Sequence, residues 1–292
     1  MKFYCIVEDA HRRPNKKCCQ FLAAACQQRD IEFVQLESAK FDYSQDMAAF
    51  VDTPCIMYRL AGGRRTALLE ALLQREGVAN LYSSPESLFA RAFGWGDEIR
   101  LQQAGLAAMP TIFNVGGADG ESLTAYVERL GGFPVVLKAT GGSHGSSVMR
   151  LDSLESLRSV VGYVGRPSDA RFALRKYISG ARHIRLVVVG DRVVDAIRYL
   201  PQPGDFRTNS VATPSVEAYQ REDSTAYVFE LAERAVATLG IEFGGVDVLI
   251  DERGEAVIAE VNFPCNFSRN QAATGTDIAG ALVDHLVAKA TQ

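Results

Sequence analysis

The sequence predicts a mixed α/β and α+β protein in three consecutive modules: a parallel α/β domain over residues 1–110, a small central unit over 111–178 and a third unit over 179–292. Three observations predict it. Apolar strand-like runs alternate with helix-period segments through the first 110 residues, the pattern of βαβ units and so of a parallel sheet with right-handed crossovers. The character changes after MPTIFNVGG, where a compact α+β pattern begins. Beyond residue 179 the strands come in pairs across short turns, GD at 190–191 and ERGE at 252–255, as antiparallel strands do.

Each element has a local reason. Strand FYCIVE opens the chain, and a helix from about Pro14 to Arg29 follows, its proline near the first turn where a missing N–H is harmless. Strand IEFVQL closes this first βαβ unit. Strand PCIMYRL, helix RTALLEALLQREG, a short strand VANLY and a helix from about Pro85 to Ala104 repeat the pattern. In the central unit, helix SLTAYVERLGG leads to strands FPVVLKA and SSVMRL, helix SLESLRSVVGYV and strand ARFALRKYI. The third unit reads as strands HIRLVVVG and RVVDAIRYL, a helix from about Ser224 to Leu239, then strands GGVDVLID and EAVIAEVN.

Composition narrows the function. With 292 residues, 47% hydrophobic and 23% charged, the chain can bury good cores in two or three small domains. A net charge of −4 offers no bulk field to attract nucleic acid or an anionic membrane. No apolar run approaches the roughly 18–20 residues of a membrane span, and MKFYCIVEDAHRRPNKK is a strand broken by charges rather than a signal peptide, so the expected location is the cytoplasm. Cysteines 5, 18, 19, 26, 55 and 265 lack C-x-x-C spacing, and the first five are expected as small buried hydrophobes in a reducing compartment.

Two stretches carry chemistry. In FPVVLKATGGSHGSSVMRL, residues 133–151, a strand ends in Lys138 and runs into a loop of small residues. Backbone N–H groups of Gly142, Ser143, His144, Gly145, Ser146 and Ser147 can approach an anion closely, with Lys138 as a fixed charge beside them, which suits nucleotide phosphates under a mobile cover. A glycine-rich hairpin turn is the plain alternative, since the loop is neither a Walker A nor a Rossmann fingerprint. In GGVDVLIDERGEAVIAEVNFPCN, Asp247 lies on one strand, while Glu260 and Asn262, two apart on the next, share a face. Two carboxylates and an amide oxygen make a hard-oxygen set suited to Mg²⁺, the alternative being a solvated strand end.

From Pro110 onward the sequence resembles the ATP-grasp ligases, closest to the RimK-type, glutathione synthetase-like branch. The segments FPVVLKATGGSHGSSV, HIRLVVVGDRVVDAIR, GDFRTN, GGVDVLID, AEVN and ATGTDIAG stand in the family's order, and YRLAGG at 58–63 resembles its strand-end arginine before a small loop. The resemblance implies an ATP-grasp fold in which the central lid and the third unit clamp ATP. It also implies a carboxylate–amine ligase: ATP phosphorylates a carboxylate, an amine attacks the acylphosphate, and ADP and phosphate leave. An ATP-binding protein with lost or regulatory catalysis is the alternative. On the family pattern Lys138 would hold the α- and β-phosphates, and the 141–147 loop would cover the β- and γ-phosphates. Asp247, Glu260 and Asn262 would hold one or two Mg²⁺ ions, with Mn²⁺ as a substitute. Arg207, beside Asn209, would face the γ-phosphate, with Arg185 as a second clamp. The strand end at Lys176, Tyr177 and Ile178 would read adenine.

Departures point to the substrate. No lysine stands between Lys40 and Lys138, where the family places a second ATP-binding lysine, so Gly94 or its neighbours take that place and Arg91 or Arg100 are candidate substitutes. Lys176 stands where an acidic residue is usual, and FPCNFSRN replaces a small proline-glycine turn beside the acceptor. Arg59, Cys265, Asn266 and Arg269 are therefore candidate substrate residues, with Cys265 shaping the acceptor pocket and Arg269 near enough to lower its pKa. Arg182, Arg185, Arg207 and Arg269 suggest an anionic substrate, and the turn argues against a glutamate-type one. The expected partners are a small-molecule or peptide carboxylate and an amino-acid or amine acceptor, with no nucleic acid and no membrane, in a homo-oligomer, dimer or tetramer.

Overall fold

A computed structural model describes residues 1–8, 16–50, 54–84, 86–87, 95–116, 118–139, 148–164, 172–200, 204–207 and 215–292. Asn209, Arg91, Gly94 and the 141–147 loop lie outside the described residues. The first sheet has order β2-β1-β3, with β1 (Lys2–Val7) pairing in parallel to β2 (Glu32–Glu37) and β3 (Cys55–Arg59). Helix α1 (Lys16–Gln27) is the β1–β2 crossover, and α2 (Arg64–Arg75) follows β3. The expected strand VANLY is no strand. Ala79 bridges Ile56 in parallel and Tyr82 bridges Ile241 of the third unit antiparallel, so five residues serve two sheets and extend neither. Of the expected helix to Ala104, α3 (Gly96–Gln103) is described.

The central sheet has order β4-β7-β5-β6, from β4 (Thr111–Phe113), β5 (Val135–Ala139), β6 (Val148–Leu151) and β7 (Phe172–Lys176), all antiparallel. Helices α4 (Gly120–Arg129) and α5 (Leu154–Val164) cover one face, burying Leu123, Val127, Leu157 and Val161 against Leu137, Leu174 and Phe172. Asp119 caps α4 by accepting from the Ser122 N–H. Alternation along β5 and β7 therefore turns Val136, Lys138, Ala173 and Arg175 to the opposite face.

The third sheet, order β10-β9-β8-β11-β12, is antiparallel: β8 (Arg182–Val189), β9 (Arg192–Tyr199), β10 (Val216–Ala218), β11 (Phe243–Ile250) and β12 (Ala256–Asn262). Helix α6 (Ala226–Thr238) packs on one face through Val228, Ala232, Ala235 and Val236. Three elements of the third unit were not anticipated, β10, α7 (Ser268–Thr274) and α8 (Ile278–Ala290), nor was β4 in the central unit. Helix α8, capped by Asp277, returns to the first module, where Ile278, Leu282, Val283 and Leu286 share one core with Phe3, Cys5, Leu22 and Tyr58. All six cysteines are buried, and none forms a disulfide. No helix among the described residues is long and apolar enough to cross a membrane.

Candidate functional site

The exposed face of the central sheet meets the edge strand β12. Lys138 Nζ donates to Glu260 Oε2 at 3.0 Å, joining the two sheets. Beside it Arg175 donates through Nη1 to the Ala259 carbonyl and through Nη2 to Glu98 of α3, both at 2.9 Å. A β-bulge explains why that carbonyl is free to accept. Asp247 opposes Glu260 while Val248 opposes Ile258, so Ala259 has no cross-strand partner. Bulges bend a strand and re-aim its side chains, and this one stands next to Glu260.

The register brings the three proposed metal ligands together: Asp247 opposite Glu260, and Asn262 two pairs along, opposite Gly245. They are not equivalent. The Asp247 carboxylate is buried and carries four donors. Arg185 forks onto both oxygens, His183 Nε2 lies 2.8 Å from Oδ1, and Asn262 Nδ2 donates to Oδ2 at 3.0 Å. Burial alone would raise its pKa, but the Arg185 guanidinium and His183 outweigh it and hold the carboxyl well below the usual range. Glu260 is half exposed, its side chain 44% accessible.

Behind this pair the backbone is tight. A methyl group on Gly245 would lie 2.6 Å from Cys265 Sγ and 2.8 Å from Arg185 Nη1, so only glycine lets Arg185 lie flat on β11. Cys265 is fully buried, and burial, only partly offset by Arg185, pushes its thiol up to about 12. The expectation that Cys265 lines an acceptor pocket beside Arg269 is therefore corrected. The thiol is interior, and the cation acting on it is Arg185, while Arg269 lies over the Tyr199 ring at 5.7 Å.

The remaining candidates sit apart. Arg59, almost wholly buried, bonds Glu70 through Nε at 2.6 Å and the Ala61 carbonyl through Nη1 at 2.8 Å, and its guanidinium lies 5.8 Å from the Phe263 ring. Its neighbour Tyr58 donates to the Cys265 carbonyl and accepts from the Cys265 N–H, so the end of β3 clamps the turn that follows β12. Asn266 accepts from the Ser268 N–H and hydroxyl at the start of α7, and from the Cys18 thiol. Arg207 forks onto Asp205 at 3.0 Å. Lys176 donates its N–H to the Pro110 carbonyl and is exposed at the strand end, the Tyr177 ring stacks under Arg150, and Ile178 follows. Arg100 is committed to the Thr238 and Leu239 carbonyls at the end of α6, away from the cleft.

Sequence reasoning missed His183, Arg175 and Gly245. The first was legible, since His183 and Arg185 are two apart on one strand and share a face. Arg175 carried no mark, because its partner is a carbonyl freed by a bulge.

A hard divalent cation fits part of this set. Glu260 offers a half-exposed carboxylate and Asn262, with its Nδ2 spent on Asp247, keeps Oδ1 as an acceptor. Asp247 would reach a cation only by exchanging one of its four donors. Among the described residues no cluster of three His, Cys, Asp or Glu side chains could hold a metal alone.

Comparison with known proteins bears on the family and the fold. A probable alpha-L-glutamate ligase from Xanthomonas oryzae pv. oryzae is 34% identical over 223 residues, 74% of this chain and 71% of its own length. Probable alpha-L-glutamate ligase 2 from Hahella chejuensis is 26% identical over 263 residues, 81% of each chain. The ATP-grasp ligase PsnB, solved with its minimal precursor, superposes with a TM-score of 0.72 at 18% identity over 98% of both chains, which establishes the ATP-grasp fold. The RimK-like ATP-grasp domain matches residues 106–286, from the end of α3 into α8, and the chain belongs to that family.

Proposed function

We propose that the protein is an ATP-dependent carboxylate–amine ligase that joins an amino acid to a peptide or protein chain. The Lys138–Glu260 pair carries the reading: it puts the lid's cation and the third unit's carboxylate 3.0 Å apart, two strand positions from Asn262 and opposite Asp247. The γ-phosphoryl group of ATP passes to the substrate carboxylate, giving ADP and an acylphosphate. An amine then attacks the acyl carbon, its proton is lost, and phosphate leaves. Lys138 would neutralise phosphate charge, Glu260 and Asn262 would hold Mg²⁺ through their oxygens, and Arg185, oriented by Asp247, would face the transferring group. Bound Mg²⁺ would supply charge neutralisation between the phosphates. The relatives' names support the substrate class: two are probable alpha-L-glutamate ligases, and PsnB was solved with a precursor.

The test is release of ADP and phosphate from Mg-ATP with amino acids and a peptide acceptor, with the product weighed by mass spectrometry. Turnover abolished by Glu260→Gln supports the ligase. Thermal protection by ATP with no turnover on any acceptor would overturn it in favour of a nucleotide-binding protein.

A further inference from the structure

Two buried donors beside this site lack an acceptor among the described residues. Arg175 and Trp95 are 6% and 5% exposed, and neither Arg175 Nε nor Trp95 Nε1 has a hydrogen-bond partner among the described residues. They belong to one cluster: the Arg175 guanidinium lies 5.7 Å from the indole centroid, and the indole packs on Phe113 of β4 at 5.8 Å. Phe113 and Lys138 both oppose Ala173, and Arg175 opposes Val136, so all of them share the face turned to β12. A native fold rarely leaves such groups unsatisfied, and an absent ligand or water is the ordinary explanation. Since both orphans donate, the missing group is an acceptor. The aromatic wall beside them suits a flat one.

Resting on the reading of this cleft as a nucleotide site, we propose that Trp95 and Arg175 form its base-reading edge. The indole N–H and the guanidinium Nε–H each donate to a ring nitrogen of the purine. Spacing supports this. Arg175 lies opposite Val136, two residues from Lys138 along β5, about 7 Å, a span that a ribose bridges between base and phosphates. The edge is made of residues foreign to an acidic reading of the base. A donor pair selects for ring nitrogens, which adenine presents as acceptors.

The experiment is calorimetric titration of wild type, Trp95→Phe and Arg175→Lys with Mg-ADP and, separately, with magnesium tripolyphosphate, which has the phosphates and no base. Trp95→Phe keeps the ring and loses one donor, and Arg175→Lys keeps the charge beside Glu98. Each should weaken ADP about five- to tenfold, the effect of one lost hydrogen bond, and leave tripolyphosphate unchanged. Lys138→Ala should weaken both ligands. Trp95 is the chain's single tryptophan, so its emission should change with ADP and stay constant with tripolyphosphate. Wild-type affinity for ADP in both edge variants would overturn the proposal, as would equal weakening of the two ligands, the mark of a strut that only shapes the cleft. A wild type that binds neither ligand would remove the nucleotide reading and the edge with it.

Discussion

Arg185 and Asp247 form one buried ion pair across the β8–β11 ladder, Nε to Oδ1 at 2.6 Å and Nη2 to Oδ2 at 2.8 Å. The two residues proposed for phosphate and for metal therefore depend on each other. Arg185→Ala leaves a buried carboxylate with only His183 and Asn262, and should cost about 3–5 kcal/mol of stability together with nearly all turnover. Arg185→Lys, which keeps the charge without the fork, should recover part of the stability and little of the turnover. Urea melts and ADP release measure both, and an unshifted midpoint in Arg185→Ala would refute the pairing.

Gly245→Ala should push Arg185 off its seat, because the new methyl would meet Cys265 Sγ and Arg185 Nη1. Overpacking of this kind costs about 1–3 kcal/mol. Adding Cys265→Ala should restore part of the loss, since it removes the nearer obstacle. Additive effects in the double-mutant cycle would contradict the described packing.

Thiol chemistry should follow burial. With its thiol pushed up to about 12 and no exposure, Cys265 should resist iodoacetamide at pH 8 in the folded protein. Cys19, whose sulfur lies 3.9 Å from that of Cys5 and whose pKa is lowered by that contact, should be alkylated first among the two. Peptide mapping after timed labelling decides, and early modification of Cys265 would revive a covalent role for it.

Glu242 ties β11 to α8 through His285 at 2.8 Å and Lys289 at 2.7 Å. Burial raises its pKa, and the hydrogen bonds from His285 and Lys289 more than reverse this, so the folded value lies below the ordinary one. A depressed carboxylate stabilises above its unfolded value, about 4.3, and loses that contribution as pH falls through the folded value. Glu242→Gln should therefore cost about 1–2 kcal/mol at neutral pH, with the gap closing below about pH 4. A gap that persists at pH 3 would assign the effect to packing.

Alternation made much of the site legible. Lys138 at a strand end before small residues, and Glu260 and Asn262 two apart on an antiparallel partner of Asp247, follow from strand geometry. What stayed hidden depends on irregularity and distance. The bulge that frees Ala259 is one extra residue in an ordinary apolar run. Cys265 looked like a pocket residue because nothing in FPCNFSRN shows that Tyr58, far away in sequence, grips its backbone on both sides. Helix α8 escaped notice because IAGALVDHLVAKA is buried on most of its circumference, which blurs a one-sided stripe.

That last helix has a consequence for how the protein is made. Phe3, Cys5, Leu22 and Tyr58 leave the ribosome well before the residues that seal them, Ile278, Leu282, Val283 and Leu286, which lie beyond both later units. The βαβ unit must therefore wait with an apolar face unsealed while those units are translated, a long window for chaperone binding to the nascent chain.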